Sequence, residues 1–435
     1  MKLQCELFII IFALTISGSS LIPDDDVENK PKICEPLLLT PFIENKNITE
    51  AREKAEVKYD KLEVVKSYSG YFTVNVEFNS NLFFWFFPSE SDYENAPVIL
   101  WLQGGPGVSS LKGALALNGA FEVTDEMELK KKKYYWSQTH SVLYIDNPVG
   151  TGFSFTNKDG YAKNQTIIGK HLYLSLLQFF QLFPELLQND FFITGESYAG
   201  KHVPSVSYWI MKENPTAQQK INLKGLAIGN GHCDPENQMG YSEMLYQVGL
   251  IDSNGKKLLQ AKVDEVVTLI RNEMWAEAYL SANKIIYGDF QEPTLFTNLT
   301  GFRNIYNILN INDSSSTNLR KYVNIPAFRK ALHVGNHTFE EREKVLTSLI
   351  PDFMKSVAPI ISELLDHYKI LFFHEDYKSA KRHIWIIDGD VAGYVKEAGN
   401  IIELLVRNAG HMVALDQPKW ALDMITKFTR NQSFC

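Results

Sequence analysis

Ser197 and His411 are the two residues whose surroundings could build a covalent catalyst. Ser197 lies in Gly195-Glu196-Ser197-Tyr198-Ala199-Gly200. An apolar run, Phe191-Phe192-Ile193, precedes it, and Val203, Val206 and Ile210 follow at helical spacing. A strand that turns sharply into a helix at G-x-S-x-G forces the serine into a strained backbone conformation and lifts its hydroxyl clear of the sheet. The flanking glycines let strand and helix cross closely. The Tyr198 N–H, at the helix start, can then face a developing oxyanion. His411 alone among the ten histidines sits just after the last apolar run, in a Gly-containing turn, Asn408-Ala409-Gly410-His411-Met412. That is the place of a general base serving a serine earlier in the chain. His333 reads as a packed helix or loop residue, and His374 and His383 as surface groups. The chemistry these types support is acyl transfer: serine attacks a carbonyl, histidine takes its proton, and backbone N–H groups hold the oxyanion.

Several elements must position them. Gly70–Val76 and Asn81–Phe87 are strand candidates, and Val98–Leu102 is an apolar run of the fully buried kind. Gln103-Gly104-Gly105-Pro106-Gly107 closes that run with backbone-dense loop residues suited to donate N–H groups without a Cβ in the way. Ser141–Ile145 is another buried strand, ended by Asp146-Asn147-Pro148-Val149-Gly150. A helix is expected around Leu172–Leu182, then strands at Leu223–Ile228, Lys369–Phe373 and Ile401–Val406, and a final helix at Lys419–Phe428. The expected class is α/β, an α/β-hydrolase fold with a mixed, mostly parallel sheet and a helical cap insertion. The expected segments are a signal peptide at 1–20, a loosely attached lead-in at 21–65, a first core part at 66–234, the helical cap at 235–325 and a second core part at 326–435.

The 435 residues carry 45% hydrophobic and 22% charged side chains and a net charge of −8, which gives no basic footprint for nucleic acid. Lys130-Lys131-Lys132-Lys133 reads as a solvated loop. Lys2, the apolar run Leu7–Ile16 and Ser17-Gly18-Ser19-Ser20 form a signal peptide, too short to span a bilayer. No membrane anchorage is expected, and the mature chain should be secreted or sent to a lysosome-like compartment. Asn47, Asn164, Asn298, Asn312, Asn336 and Asn431 are glycosylation sequons. Loss of Cys5 with the signal leaves Cys34, Cys233 and Cys435, so at most one internal disulfide can form. No His or Cys cluster has metal-ligand spacing, and no phosphate-cradling loop is present, so neither metal nor cofactor is expected.

Four motifs together resemble the signatures of serine carboxypeptidases. They are Trp101-Leu102-Gln103-Gly104-Gly105-Pro106-Gly107, Asp146–Ser154, Gly195–Lys201 and Gly410-His411-Met412. Ser67–Tyr71 and Asp390–Tyr394 are most similar to the vitellogenic carboxypeptidase-like branch, and the likeness runs from about residue 67 to the C-terminus. It implies removal of C-terminal residues from peptides or proteins, usually at acidic pH. It implies Ser197 as nucleophile, His411 as base and the N–H groups of Gly105 and Tyr198 as the oxyanion hole. Gln103, the Gly104 N–H and Glu196 would hold the substrate carboxylate. Glu196 can do so only when protonated, since two carboxylates at hydrogen-bonding distance repel.

Two departures from that pattern matter. The family's Asn-Gly-x-x-Asp after Lys369–Phe373 is replaced by His374-Glu375-Asp376-Tyr377-Lys378, with Lys378 where the triad Asp belongs. A deletion of a few tens of residues accounts for this. Asp376 is a candidate substitute, and Asp366 precedes the strand and so lies at the wrong end. Leu117 occupies the position of a Glu that the family pairs with the elbow Glu, which implies a different pH dependence of carboxylate recognition. The readings are therefore an active carboxypeptidase, a catalytically impaired homologue or truncated isoform acting as a binding protein, and an esterase or acyltransferase on the same machinery. Gln103 and Glu196 favour the peptidase over the last.

Overall fold

Strands dominated by apolar runs occupy the middle of one large sheet, and strands of more mixed sequence occupy its two ends. The computed structural model describes residues 35–62, 65–290, 292–309, 317–340, 342–373 and 381–434. These belong to a single compact unit, Cys34–Cys435. The strands are β1 (Tyr68–Asn75), β2 (Ser80–Phe87), β3 (Val98–Leu102), β4 (Phe121–Val123), β5 (Leu129–Lys131), β6 (Ser141–Ile145), β7 (Phe191–Glu196), β8 (Leu223–Gly229), β9 (Lys369–Phe373), β10 (Arg382–Ile387), β11 (Asp390–Ala398) and β12 (Ile401–Val406). Ten of them form the main sheet in the order β1-β2-β6-β3-β7-β8-β9-β12-β11-β10, while β4 and β5 pair separately. The run from β6 to β12 is parallel and both margins are antiparallel. This is the mixed, mostly parallel sheet of an α/β-hydrolase.

The central strands are buried on both faces because helices cover both. Along β3, Val98, Leu100 and Leu102 enter one core with Ile168, Leu172, Val203 and Val206 of the helices Gln165–Leu182 and Ala199–Glu213. Ile99 and Trp101, on alternate positions, enter a second core with Met424, Ile425 and Phe428 of the helix Pro418–Thr429. Between β8 and β9 the described elements are all helical, from Tyr241–Gln247 to Ala358–Leu365. Among the described residues no single helix is long and apolar enough to cross a membrane.

Two expectations are corrected. The lead-in is not loosely attached where it is described: Leu39, Ala51 and Ala55 are fully buried, and the Leu39 N–H donates to the Tyr71 carbonyl at 2.9 Å. The lysine run is not all solvated loop either. Lys130 and Lys131 lie in β5, and the ammonium of Lys132 is turned inward onto the carbonyls of Ala116 (3.2 Å) and Leu117. Burial brings the Lys132 pKa down to about 8. The signal peptide, Cys34, Cys435, His374, Asn312 and Asp376 lie outside the described residues. Cys233 is buried with a free thiol.

Candidate active site

β7 ends at Glu196, the helix begins at Ala199, and Ser197 between them has φ = +65°. A left-handed serine costs about 1–3 kcal/mol and persists only when its surroundings over-determine it. Here they do. Ser197 N–H donates to the Gly229 carbonyl, and the Ser197 carbonyl accepts from the N–H groups of both Gly200 and His232, all at 2.9 Å. The elbow is thus fastened to the end of β8 and to the loop after it.

The loop after β3 presses directly on this turn. A Cβ on Gly104 would lie 2.5 Å from the Tyr198 nitrogen and 2.8 Å from Ser197 Cβ, so only glycine allows the approach. Gly105 follows with φ = +115°. Among the described residues the backbone N–H groups of Gly105 and Tyr198 have no hydrogen-bond acceptor. Asp146, at the end of β6, braces the loop from below. Its carboxylate accepts from Ser109 Oγ (2.6 Å), Ser110 N–H (2.8 Å) and Phe153 N–H (2.9 Å), while Ser110 Oγ accepts from Gln103 N–H (3.1 Å). Burial pushes the Asp146 pKa up to about 7 despite those bonds.

Glu196 is 1% exposed and Gln103 4%. Trp101 Nε1 donates to Gln103 Oε1 at 3.2 Å, which turns the Gln103 amide so that Nε2 donates to Glu196 Oε1 at 3.0 Å. Burial pushes the Glu196 pKa up to about 7; the Gln103 bond and the charge of Lys112 oppose the rise, and Asp416 adds to it. Leu117 is fully buried. The carboxyl therefore becomes neutral at mildly acidic pH through burial rather than through a second acid.

His411 arrives from the far side, after β12. Two long-range bonds and one local bond hold its turn. His411 N–H donates to the Tyr306 carbonyl (2.8 Å), Asn230 Nδ2 donates to the His411 carbonyl (2.8 Å), and Gly410 N–H donates to Asp416 Oδ2 (2.7 Å). The ring faces Tyr306 at 5.4 Å between centroids. Nε2 is buried, and among the described residues it has no hydrogen-bond partner. Burial, and secondarily the charge of Lys112, hold the His411 pKa down at about 4.

A cavity of about 760 Å³ is lined by Gly105, Ser197, Tyr198 and His411 together. Gln103, Gly104 and Glu196 sit behind that wall rather than in the lining. Aromatic residues Tyr241, Tyr287, Tyr306 and Phe353 make up much of the rest, with Arg342, Asp289 and Arg407 as charged members. Sequence reasoning missed Asn230, Tyr306, Asp416 and Arg342. Asn230 directly follows a strand and lies between two glycines, which is a usable signal; a carbonyl acceptor such as that of Tyr306 leaves none.

The remaining sequence-predicted residues are dispersed. Asn47, Asn298, Asn336 and Asn431 are exposed, and Asn164 is half-buried at a helix start, where its side chain accepts from Ile167 N–H. Asp366 is exposed and precedes β9, away from the C-terminal strand ends that carry the site. His333 is half-buried in a turn at φ = +58°, and His383 is exposed on β10. Among the described residues no group of three His, Cys, Asp or Glu side chains could hold a metal ion.

A family model described as serine carboxypeptidase matches residues 58–381 and again 376–431. The venom serine carboxypeptidase of Apis mellifera is 46% identical, with 94% of this chain and 96% of that protein covered. That alignment spans 447 positions, more than the 435 residues present here, so the relative carries residues this chain lacks. The vitellogenic carboxypeptidase of Aedes aegypti is 44% identical (91% and 90% covered), and human probable serine carboxypeptidase CPVL is 42% identical (91% and 89%). Among solved structures, the prohormone-processing carboxypeptidase Kex1 of Saccharomyces cerevisiae superposes with a TM-score of 0.72 at 23% identity, covering 87% of this chain and 96% of that one, a likeness of fold. By the length and identity of these matches, the chain belongs to the serine carboxypeptidase family.

Proposed function

We propose that the chain is a secreted serine carboxypeptidase that removes C-terminal residues from peptides through Ser197 and His411. One observation carries this reading: a serine at positive φ, two acceptor-free N–H groups beside it and a histidine line one cavity. Ser197 Oγ attacks the scissile carbonyl and His411 Nε2 takes its proton. The N–H groups of Gly105 and Tyr198 receive the oxyanion. Collapse breaks the C–N bond, the amine leaves with the proton from His411, and water then hydrolyses the acyl-enzyme by the same route. Gln103, the Gly104 N–H and protonated Glu196 receive the substrate's terminal carboxylate, with Glu196 donating.

The two shifted groups bound a working range. Below about pH 4 His411 is protonated and no longer a base. Above about pH 7 Glu196 is a carboxylate and repels the substrate's. Activity is therefore expected between these limits, which suits a lysosome-like compartment or an acidic secretion. The sequons at Asn47, Asn164, Asn298, Asn312, Asn336 and Asn431 are the proposed glycan sites.

A second reading is a catalytically impaired binding protein. Among the described residues His411 Nε2 has no partner. The two family matches overlap at 376–381, where Lys378 stands in the place of the family's Asp, and the bee relative is longer in alignment. Asp376 is the proposed stand-in acid of the active form. The deciding experiment is release of the C-terminal residue from a blocked dipeptide between about pH 4 and pH 7, beside Ser197→Ala. Turnover absent from the S197A variant supports the carboxypeptidase; rates equal to it leave the binding protein.

A further inference from the structure

Arg342 caps the start of the helix Glu343–Phe353 and reaches into the cavity wall. Its Nη2 donates to the carbonyl of Gly105 at 3.1 Å, and its Nη1 meets Asp289 Oδ1 at 2.7 Å. The Asp289 side chain is 9% exposed and held in turn: Oδ2 accepts from the Tyr279 hydroxyl at 2.6 Å, and its backbone N–H donates to Asn283 Oδ1 at 2.7 Å. The backbone of Arg342 also closes on the loop, since a Cβ on Gly107 would lie 2.9 Å from Arg342 Cα. One guanidinium therefore joins the loop after β3 to the helical segment between β8 and β9.

The geometry suits arginine. A planar fork holds two acceptors in different directions, whereas an ammonium is a point charge that cannot keep both. The side chain is 33% exposed, so the ion pair itself adds little stability and its effect is directional. Gly105, without a Cβ and at φ = +115°, is the hinge between two peptides: the Gly104–Gly105 peptide, which carries its N–H and whose carbonyl accepts from Val108 N–H at 3.1 Å, and the Gly105–Pro106 peptide, whose carbonyl Arg342 holds.

We propose that Arg342 is a positioning residue for the oxyanion hole. By tying the Gly105 carbonyl to Asp289 through its guanidinium, it fixes the Gly105–Pro106 peptide and so the place of the Gly105 Cα, from which the neighbouring Gly104–Gly105 peptide presents its N–H, so that stabilisation of the oxyanion depends on the packing of the helical segment. This rests on Gly105 being an oxyanion donor, as read above.

The test compares wild type with R342Q, R342K and D289N. Each variant should lower kcat about tenfold or more, with KM changed less than about threefold, because a misdirected oxyanion donor is felt in the transition state. Affinity for a peptide aldehyde should fall in step with kcat, while affinity for the free-acid product should stay. R342Q combined with D289N should be no worse than R342Q alone, since both break one clamp. Unchanged kcat in R342Q, or a fully active R342K, overturns the proposal. A crystal structure of R342Q gives an arm independent of turnover: a displaced Gly105–Pro106 peptide supports the clamp, and one left in place overturns it. Wild type that neither turns over nor binds the aldehyde counts against the carboxypeptidase reading alone.

Discussion

The serine side and the histidine side of the cavity are built differently. Ser197 stands at the centre of the sheet, between strands buried on both faces, with its N–H and carbonyl both engaged by neighbouring backbone. His411 stands beyond β12, toward a margin where β10 exposes Ile384 and Ile386 by 54% each, and among the described residues its Nε2 has no partner. The serine turn is over-determined by local geometry. The His411 turn depends on two groups far along the chain, Tyr306 and Asn230, and on Asp416 nearby.

The sharpest way to break this contrast is at its two ends. Ser197→Ala should abolish turnover, a loss of about 10⁶-fold if an acid already serves His411 and of about 10²-fold if none does, with Tm little changed because the backbone bonds remain. Grafting the segment that follows β9 in the bee relative should raise kcat by up to about 10⁴-fold, the usual worth of the orienting acid. A graft that leaves kcat unmoved would show that the chain already has a working acid.

Next in size is Gly104→Ala. The added Cβ would collide with the Tyr198 nitrogen and Ser197 Cβ. Activity should drop at least tenfold, and stability by about 1–3 kcal/mol, as for an overpacked site. Urea unfolding together with kcat separates the two effects, and an alanine tolerated in both would disprove the close approach.

Glu196→Gln should sharpen the account of pH. A glutamine amide donates at every pH, so the rise in KM above about pH 7 should disappear. Stability gives an independent reading. Wild-type Glu196 has its native pKa raised to about 7 from an ordinary 4.5, so the folded state holds the extra proton in that window. Its contribution is present at low pH and is lost as pH rises from about 4.5 through 7. The Tm of E196Q relative to wild type should therefore rise over that interval and level off above it. The smallest expected effect is that of Leu117→Glu, which restores the second carboxyl and should move the alkaline limb of KM; an unchanged profile would remove Leu117 from the explanation.

Legibility followed burial and sequence distance. The runs Val98–Leu102, Ser141–Ile145 and Phe191–Ile193 read as strands because both faces are covered and every residue but Ser141 is apolar. β10 and β11 were not read, because one face meets solvent and charged residues break the pattern. The hairpin signal between them was available: Asp388 and Gly389 both take positive φ, as a two-residue turn requires. The helix expected from Leu172 begins seven residues earlier, at Gln165, where the Asn164 side chain caps it.

The sequence by itself determined the strained serine turn, the glycine loop that meets it, the place of His411 and the family. Each of these is encoded within about ten consecutive residues, where steric limits act locally. Only the tertiary structure decided that Glu196 is neutralised by burial beside Gln103, that Tyr306 and Asn230 hold the His411 turn, and that Arg342 ties Gly105 to Asp289. Those bonds join residues tens to hundreds of positions apart. Their existence follows from which side chains the closed sheet leaves within 3 Å of one another, and no local pattern carries that information.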